Sequence, residues 1–158
     1  MAIDALVKPL LQIAIFRGLK PPQITEIARR AERIIYRPGE SIIEEDCIGD
    51  AAVLIVSGDA VRVAGPDYKG SPERVAPGSL VGEMAMLVES IHSSTVMARG
   101  NVKALRLNRR EMLLQMEQDP TLAEHFLDRI SGRLKVLAED LRAVDRAFQQ
   151  CDARAPLH

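Results

Sequence analysis

Tryptophan is absent from the 158 residues, and three phenylalanines and two tyrosines make up the whole 3% aromatic share. Aliphatic side chains must therefore fill the core. Cysteine is nearly absent too, and Cys47 and Cys151 lie far apart in unlike surroundings. They make neither a disulfide framework nor a metal motif, so both read as free thiols in a reducing compartment, the cytoplasm. No apolar run reaches the ~18 residues of a membrane span, and the N-terminus lacks the basic region, apolar run and cleavage site of a secretion signal. An excess of either charge is missing: 21 basic residues stand against 22 acidic ones, for a net charge of −1. That argues against direct binding of nucleic acid, which calls for a basic stripe. The three histidines, His92, His125 and His158, are too scattered for a metal centre, and no nucleophile stands beside a base-and-orienter pair. The expectation is a protein with no catalytic residue, no metal ligand and no cofactor, hence not an enzyme.

What is present suits a single folded unit. Hydrophobic residues at 47% and charged residues at 27% are ordinary globular values, and a chain of this length buries about 68–70% of its unfolded surface. Leu6, Leu10, Ile13 and Ala14 fall at helical intervals and predict a helix from Ala5 to Phe16. Past Gly18-Leu19-Lys20-Pro21-Pro22 a second helix, with proline at its start, runs to about Arg33. The pattern then changes to short β-branched runs: Ile34–Tyr36, Ser41–Ile43, Val53–Val56, Ala60–Val63, Glu73–Val75, Thr95–Met97 and Val102–Leu105. Turn residues separate them, among them Pro38-Gly39, Ser57-Gly58-Asp59 and Gly65-Pro66-Asp67, which is the spacing of an antiparallel sandwich or barrel.

Helices close the chain. Asn108 with Glu111 resembles a capping box for a helix to about Gln118, and Asp119-Pro120 restarts the chain as N-cap and first helical residue. The last helix carries Leu122, Phe126, Ile130, Leu134, Leu137, Leu141, Val144 and Phe148, a narrow apolar seam of the coiled-coil kind. About 30 residues of helix are roughly 45 Å long, more than a domain of this size can cover, so the seam predicts a parallel homodimer. Gly132 interrupts this helix at a cost of up to about 1 kcal/mol.

One segment suggests chemistry. Gly78, Ser79 and Gly82 break the backbone ahead of Glu83 to Leu87, which has the residues of one short helix, so free N–H groups cluster where that helix begins. Such a cluster suits an anion. His92, Ser93 and Ser94 follow closely, with a cation and two hydroxyls fit for one phosphate on a small ligand. The competing reading of Glu83 is a first-turn acid set against the helix dipole, and that of His92 is an exposed loop residue.

Four elements in order now carry a family resemblance: Pro38-Gly39-Glu40-Ser41-Ile42-Ile43, Gly49-Asp50, Val56-Ser57-Gly58-Asp59-Ala60-Val61-Arg62-Val63 and Gly82-Glu83-Met84-Ala85-Met86-Leu87. Together they resemble the cyclic nucleotide-binding domain of catabolite-activator-type regulators, cyclic-nucleotide-gated channels and protein kinase A regulatory subunits. The likeness spans about Leu10 to Val144. It implies an α+β, mainly β fold: an eight-stranded antiparallel β-roll (a double-stranded β-helix or jelly roll) with N-terminal helices and a long C-terminal helix. The implied single domain covers 1–150, with N-terminal helices over 1–33, the roll over 34–107, a phosphate-binding cassette at 78–95, C-terminal helices over 108–150 and a tail at 151–158.

By the same resemblance, backbone N–H groups at Glu83, Met84 and Ala85, after Gly82, bind the cyclic phosphate, and the Glu83 carboxylate accepts from the ribose 2′-hydroxyl. Ile91-His92 departs from the usual Pro-Arg. Arginine is always charged and forks onto two oxygens, whereas an imidazole, with an ordinary pKa near 6.5, offers one aligned donor. Losing a charge-assisted hydrogen bond costs about 1.5–3 kcal/mol, roughly ten- to hundredfold in affinity. Ser93 is placed to reach a phosphate oxygen or the purine edge, while Ser94 and Thr95 serve local backbone groups. Arg99, Arg106 and Lys69 are the alternative cations. Asp46 stands where many members place a turn glycine.

The function implied is a regulatory module that binds a cyclic purine nucleotide, cAMP ahead of cGMP, and moves its final helix in response, weakened by His92. The alternative is a domain that kept the fold, lost the ligand and serves as a dimerisation or protein-interaction module for an unknown partner. No helix-turn-helix follows the last helix, so direct DNA binding is not expected.

Overall fold

The computed structural model describes residues 3–64 and 71–154. The Gly65-Pro66-Asp67 turn, Lys69, His158 and the side chains of Leu134, Leu137 and Cys151 lie outside the described residues. Helix α1 (Ile3–Leu11) buries Leu6 and Leu10, and a 3₁₀ turn at Ala14–Phe16 buries Ile15 and Phe16. Helix α2 (Pro21–Arg30) presents Ile24, Ile27 and Ala28 to the same core. It ends earlier than the expected Arg33. Ala31 is already extended, at φ −68° and ψ 142°, because Glu32–Tyr36 pairs as a strand from its first residue.

Ten strands follow among the described residues: β1 (Glu32–Tyr36), β2 (Ser41–Ile43), β3 (Ile48–Gly49), β4 (Ala51–Ser57), β5 (Ala60–Val63), β6 (Glu73–Val75), β7 (Leu80–Val81), β8 (Ser90–Ile91), β9 (Thr95–Ala98) and β10 (Val102–Asn108). Eight of them form two four-stranded sheets, ordered β1-β10-β4-β7 and β2-β9-β5-β6, and β3 with β8 makes a separate ribbon. All pairs are antiparallel. This is the roll that the resemblance implied, with the ribbon added.

Strand β4 explains how the layers join. Ala51 to Ile55 is buried throughout, as expected of a strand covered on both faces. Val53 and Ile55 point into the roll with Tyr36, Val96 and Val102. Ala52 and Leu54 point outward, with Leu105 and Leu107 of β10, into a second core shared with α1, α2 and the C-terminal helices. Alternation along one strand thus feeds two cores.

Helices α3 (Arg109–Gln118) and α4 (Pro120–Arg154) complete the chain. The expected capping box is not formed. The Asn108 side chain makes no cap; instead the Arg109 N–H donates to the Asp50 carbonyl at 2.8 Å, and Glu111 pairs with Arg30 at 3.6 Å. Asp119 does cap α4, its Oδ1 accepting from Thr121 N–H at 3.1 Å and Leu122 N–H at 3.3 Å. Helix α4 runs to Arg154, past the expected start of a tail at 151, because neither glycine nor proline interrupts the chain between Gly132 and Pro156.

Candidate functional site

The cassette begins where β7 ends. Gly82 has φ 65° and ψ 36°, the left-handed region that favours glycine. It turns the chain into one short 3₁₀ helix, Glu83–Met86, in place of an α-turn. That geometry uses i→i+3 bonds, so the Ala85 N–H donates to the Gly82 carbonyl at 3.0 Å. The N–H that the resemblance assigns to a phosphate is thus the donor of this bond within the turn. Glu83 and Met84 occupy the first-turn positions and are half-buried, while the Ala85 and Met86 side chains are fully buried.

His92 comes back to this turn. A Cβ added at Gly82 would stand 2.8 Å from His92 Cε1, and one at Gly49 would collide with the same imidazole and lie 2.9 Å from Ala85 Cβ. Two glycines thereby make a slot for the ring. The backbone fixes it there: His92 N–H donates to the Cys47 carbonyl at 3.0 Å, and its carbonyl accepts from Asp46 N–H at 2.9 Å. These bonds extend the β3–β8 ribbon, in which Ile48 pairs with Ile91 and Gly49 with Ser90. Asp46 has φ 63°, so the turn keeps its left-handed shape with an aspartate, one of the few residues that tolerate it.

Gly82, Ala85 and His92 are therefore brought together, and Gly49 joins them. Ser93 is exposed beside them. Thr95 does serve backbone, but not a local group: its Oγ1 accepts from the N–H of Glu45, 50 residues away in sequence, at 3.0 Å. A cavity of about 340 Å³ borders the imidazole, lined by Tyr36, Glu44, Cys47, Asp50, His92 and Arg106 among others. Its size lies within the ~300–1,000 Å³ of ligand pockets, but Glu83 and Ser93 are not in its lining.

The charges around it are largely matched. Arg106 Nη2 donates to Asp50 Oδ1 at 2.7 Å, and this bond holds the Asp50 carboxyl below its ordinary range. Arg106 is thus occupied by a carboxylate of its own chain. The Cys47 thiol is pushed up by loss of solvation and by its contact with Glu44, which keeps it protonated and a poor nucleophile.

Sequence reasoning passed over Arg109. Its Nη1 donates to the Gly49 carbonyl at 3.0 Å and to the Ala85 carbonyl at 3.3 Å, tying the slot and the cassette to the start of α3. A signal did exist. Arg109 and Arg110 open a helix whose N-terminal dipole disfavours cations, so they need another purpose.

The profile of the cyclic nucleotide-binding domain matches residues 33–119, more than half of the chain. The chain belongs to the cyclic nucleotide-binding domain family. The domain is similar to the cAMP-dependent protein kinase regulatory subunit of Aspergillus fumigatus, 34% identical over 100 residues that are 63% of this chain and 24% of the relative. It is also similar to the Cyclic AMP receptor protein of Thermus thermophilus, 28% identical over 77% of this chain and 57% of the relative. A cyclic nucleotide-binding-like protein of Brucella abortus superposes with a TM-score of 0.65 at 25% identity, over 70% of this chain and 97% of its own. The chain thus spans between a quarter and somewhat more than half of the length of the two sequence relatives. By name these are regulatory or binding proteins. Among the described residues, no helix of the domain is long and apolar enough to cross a membrane, and no three His, Cys, Asp or Glu residues cluster as metal ligands.

Proposed function

We propose that this domain binds a cyclic purine nucleotide, cAMP ahead of cGMP, at the turn formed by Gly82, Glu83, Met84 and Ala85 with His92 and Ser93, and passes the binding event to α4. The observation that carries this reading is the seat of His92. The imidazole lies against Gly82 at the head of the cassette, where the family pattern has its phosphate-pairing arginine. Relatives named for cAMP favour that nucleotide.

A route to α4 is built into the packing. Met86 and Leu87, at the end of the cassette turn, belong to the same core as Leu122 and Phe126 at the start of α4. Displacing the turn would disturb the helix anchor through the core that both share. The exposed Leu141, Val144 and Phe148 then serve as the seam of a homodimer. That stripe equally suits the second reading, a ligand-free dimerisation or interaction module. Cys47 as an exposed free thiol fits residence in the reducing cytoplasm.

The test is calorimetric titration of denatured and refolded, nucleotide-free protein with cAMP and cGMP, beside the His92→Arg variant. The reading expects saturable binding by the wild type and binding about ten- to hundredfold tighter in the variant. No wild-type binding at millimolar nucleotide would leave the interaction module as the function.

A further inference from the structure

Strand β5 turns a charged residue towards the inside of the roll. Ala60 lies opposite Ala98 on β9 and Val75 on β6, and two residues on, Arg62 lies opposite Val96 and Glu73. Ala60, Val75, Val96 and Ala98 all belong to the core inside the roll. Residues two apart on a strand share a face, so Arg62 shares theirs. Its Nε is buried and has no hydrogen-bond partner among the described residues. Glu73, directly across the ladder, is exposed and does not satisfy it.

A guanidinium cannot relieve this by losing its proton. Leaving a buried donor unpaired is unfavourable, and more so when the group is charged. Arg106 is engaged with Asp50 at 2.7 Å, Arg109 with two carbonyls and Arg74 with Asp59 at 3.9 Å. Arg62 differs from these three in keeping a buried Nε without a hydrogen-bond partner among the described residues. Its strand neighbour is the strand that follows the cassette. Val96 comes four residues after His92, at most about 13 Å along the chain at about 3.3 Å per residue, with a bend at Ser93 and Ser94 between them. Arg62 and His92 thus approach the same end of the roll from adjoining segments.

We propose that Arg62 is the cation of the nucleotide pocket, taking the anionic cyclic phosphate on its Nε edge in place of the arginine that His92 replaces. Two parallel N–H groups on a planar guanidinium match two oxygens of a phosphodiester, a geometry that an imidazole does not offer. The assignment rests on the nucleotide reading above and names the residue that keeps that reading chemically sound.

The test compares wild type, Arg62→Met and Arg62→Lys, each refolded free of nucleotide, in cAMP titrations at low and high salt with melting curves taken without ligand. Arg62→Met is expected to lose about ten- to hundredfold in cAMP affinity, to bind with a flatter salt dependence, and to melt higher than wild type because the unpaired donor is gone. Arg62→Lys is expected to recover part of the lost affinity, since it restores the charge without the fork. Wild-type affinity in Arg62→Met would overturn the assignment and leave the nucleotide reading standing. Equal losses in both variants with unchanged salt dependence would also overturn it, by reducing Arg62 to a packing role. A wild type that binds neither cAMP nor cGMP would overturn both.

Discussion

The two ends of α4 carry the same kind of apolar stripe and meet opposite fates. Leu122 and Phe126 are 0% and 1% exposed, locked against Phe16 and the helical core, with Phe126 edge-on to Phe16 at 6.0 Å. Leu141, Val144 and Phe148, on the same seam, are 69%, 52% and 67% exposed. A period of three and four therefore reports that one face of a helix is apolar, and not what covers it. Here the first turns are an anchor and the last turns a free surface. His125 sharpens the contrast, since its Nε2 lies 2.7 Å from the Ile15 carbonyl and fastens the anchored end to the 3₁₀ turn.

Mutations at the two ends should break this comparison apart. Phe126→Ala is expected to lower stability by about 3–5 kcal/mol, read from urea denaturation, because it empties a closed site. Phe148→Ala should change the stability of the isolated chain by no more than about 0.5 kcal/mol. Under the proposed dimer its effect falls on association, and sedimentation should show a larger monomer fraction at equal concentration.

A smaller effect is expected at the junction between roll and helices. Arg109→Met leaves the carbonyls of Gly49 and Ala85 without their donor, at a cost of about 1–3 kcal/mol. Hydrogen exchange should quicken at the cassette and leave the exposed end of α4 unchanged. The smallest effect concerns Asp50. Arg106 lowers its carboxyl pKa in the folded state, so the added stability is present above the unfolded value near 3.9 and is lost as pH falls through the lowered one. Asp50→Asn should remove that part of the acid dependence, with well under about 1 kcal/mol lost at neutral pH because the pair is solvent-screened. Denaturation midpoints between about pH 2 and 6 would show it.

Much of this was legible in the chain. The longer strands, the antiparallel sandwich or barrel read from the turn spacing, the Asp119 cap and the short helix after Gly82 follow from local signals that the tertiary structure does not override, and the roll itself was implied by the family resemblance. Strands β3, β7 and β8 did not show, because two residues carry no alternation; the ribbon that seats His92 exists only through pairing at long range. Arg62 was hidden for the opposite reason. Within Val61-Arg62-Val63 the alternation reads the charge as the solvent side, whereas the ladder with β9 turns it to the inner face. Arg109 was concealed by a plausible capping box that the structure leaves unmade.

The central claim is that the cassette and the anchored end of α4 respond together to a cyclic nucleotide. Hydrogen exchange of the refolded protein, with and without saturating cAMP, tests it most directly. The account predicts slower exchange across Gly82–Leu87 together with a change at Leu122–Phe126. A cassette that slows while the anchor stays unchanged would contradict the coupling, and no change at either would contradict nucleotide binding itself.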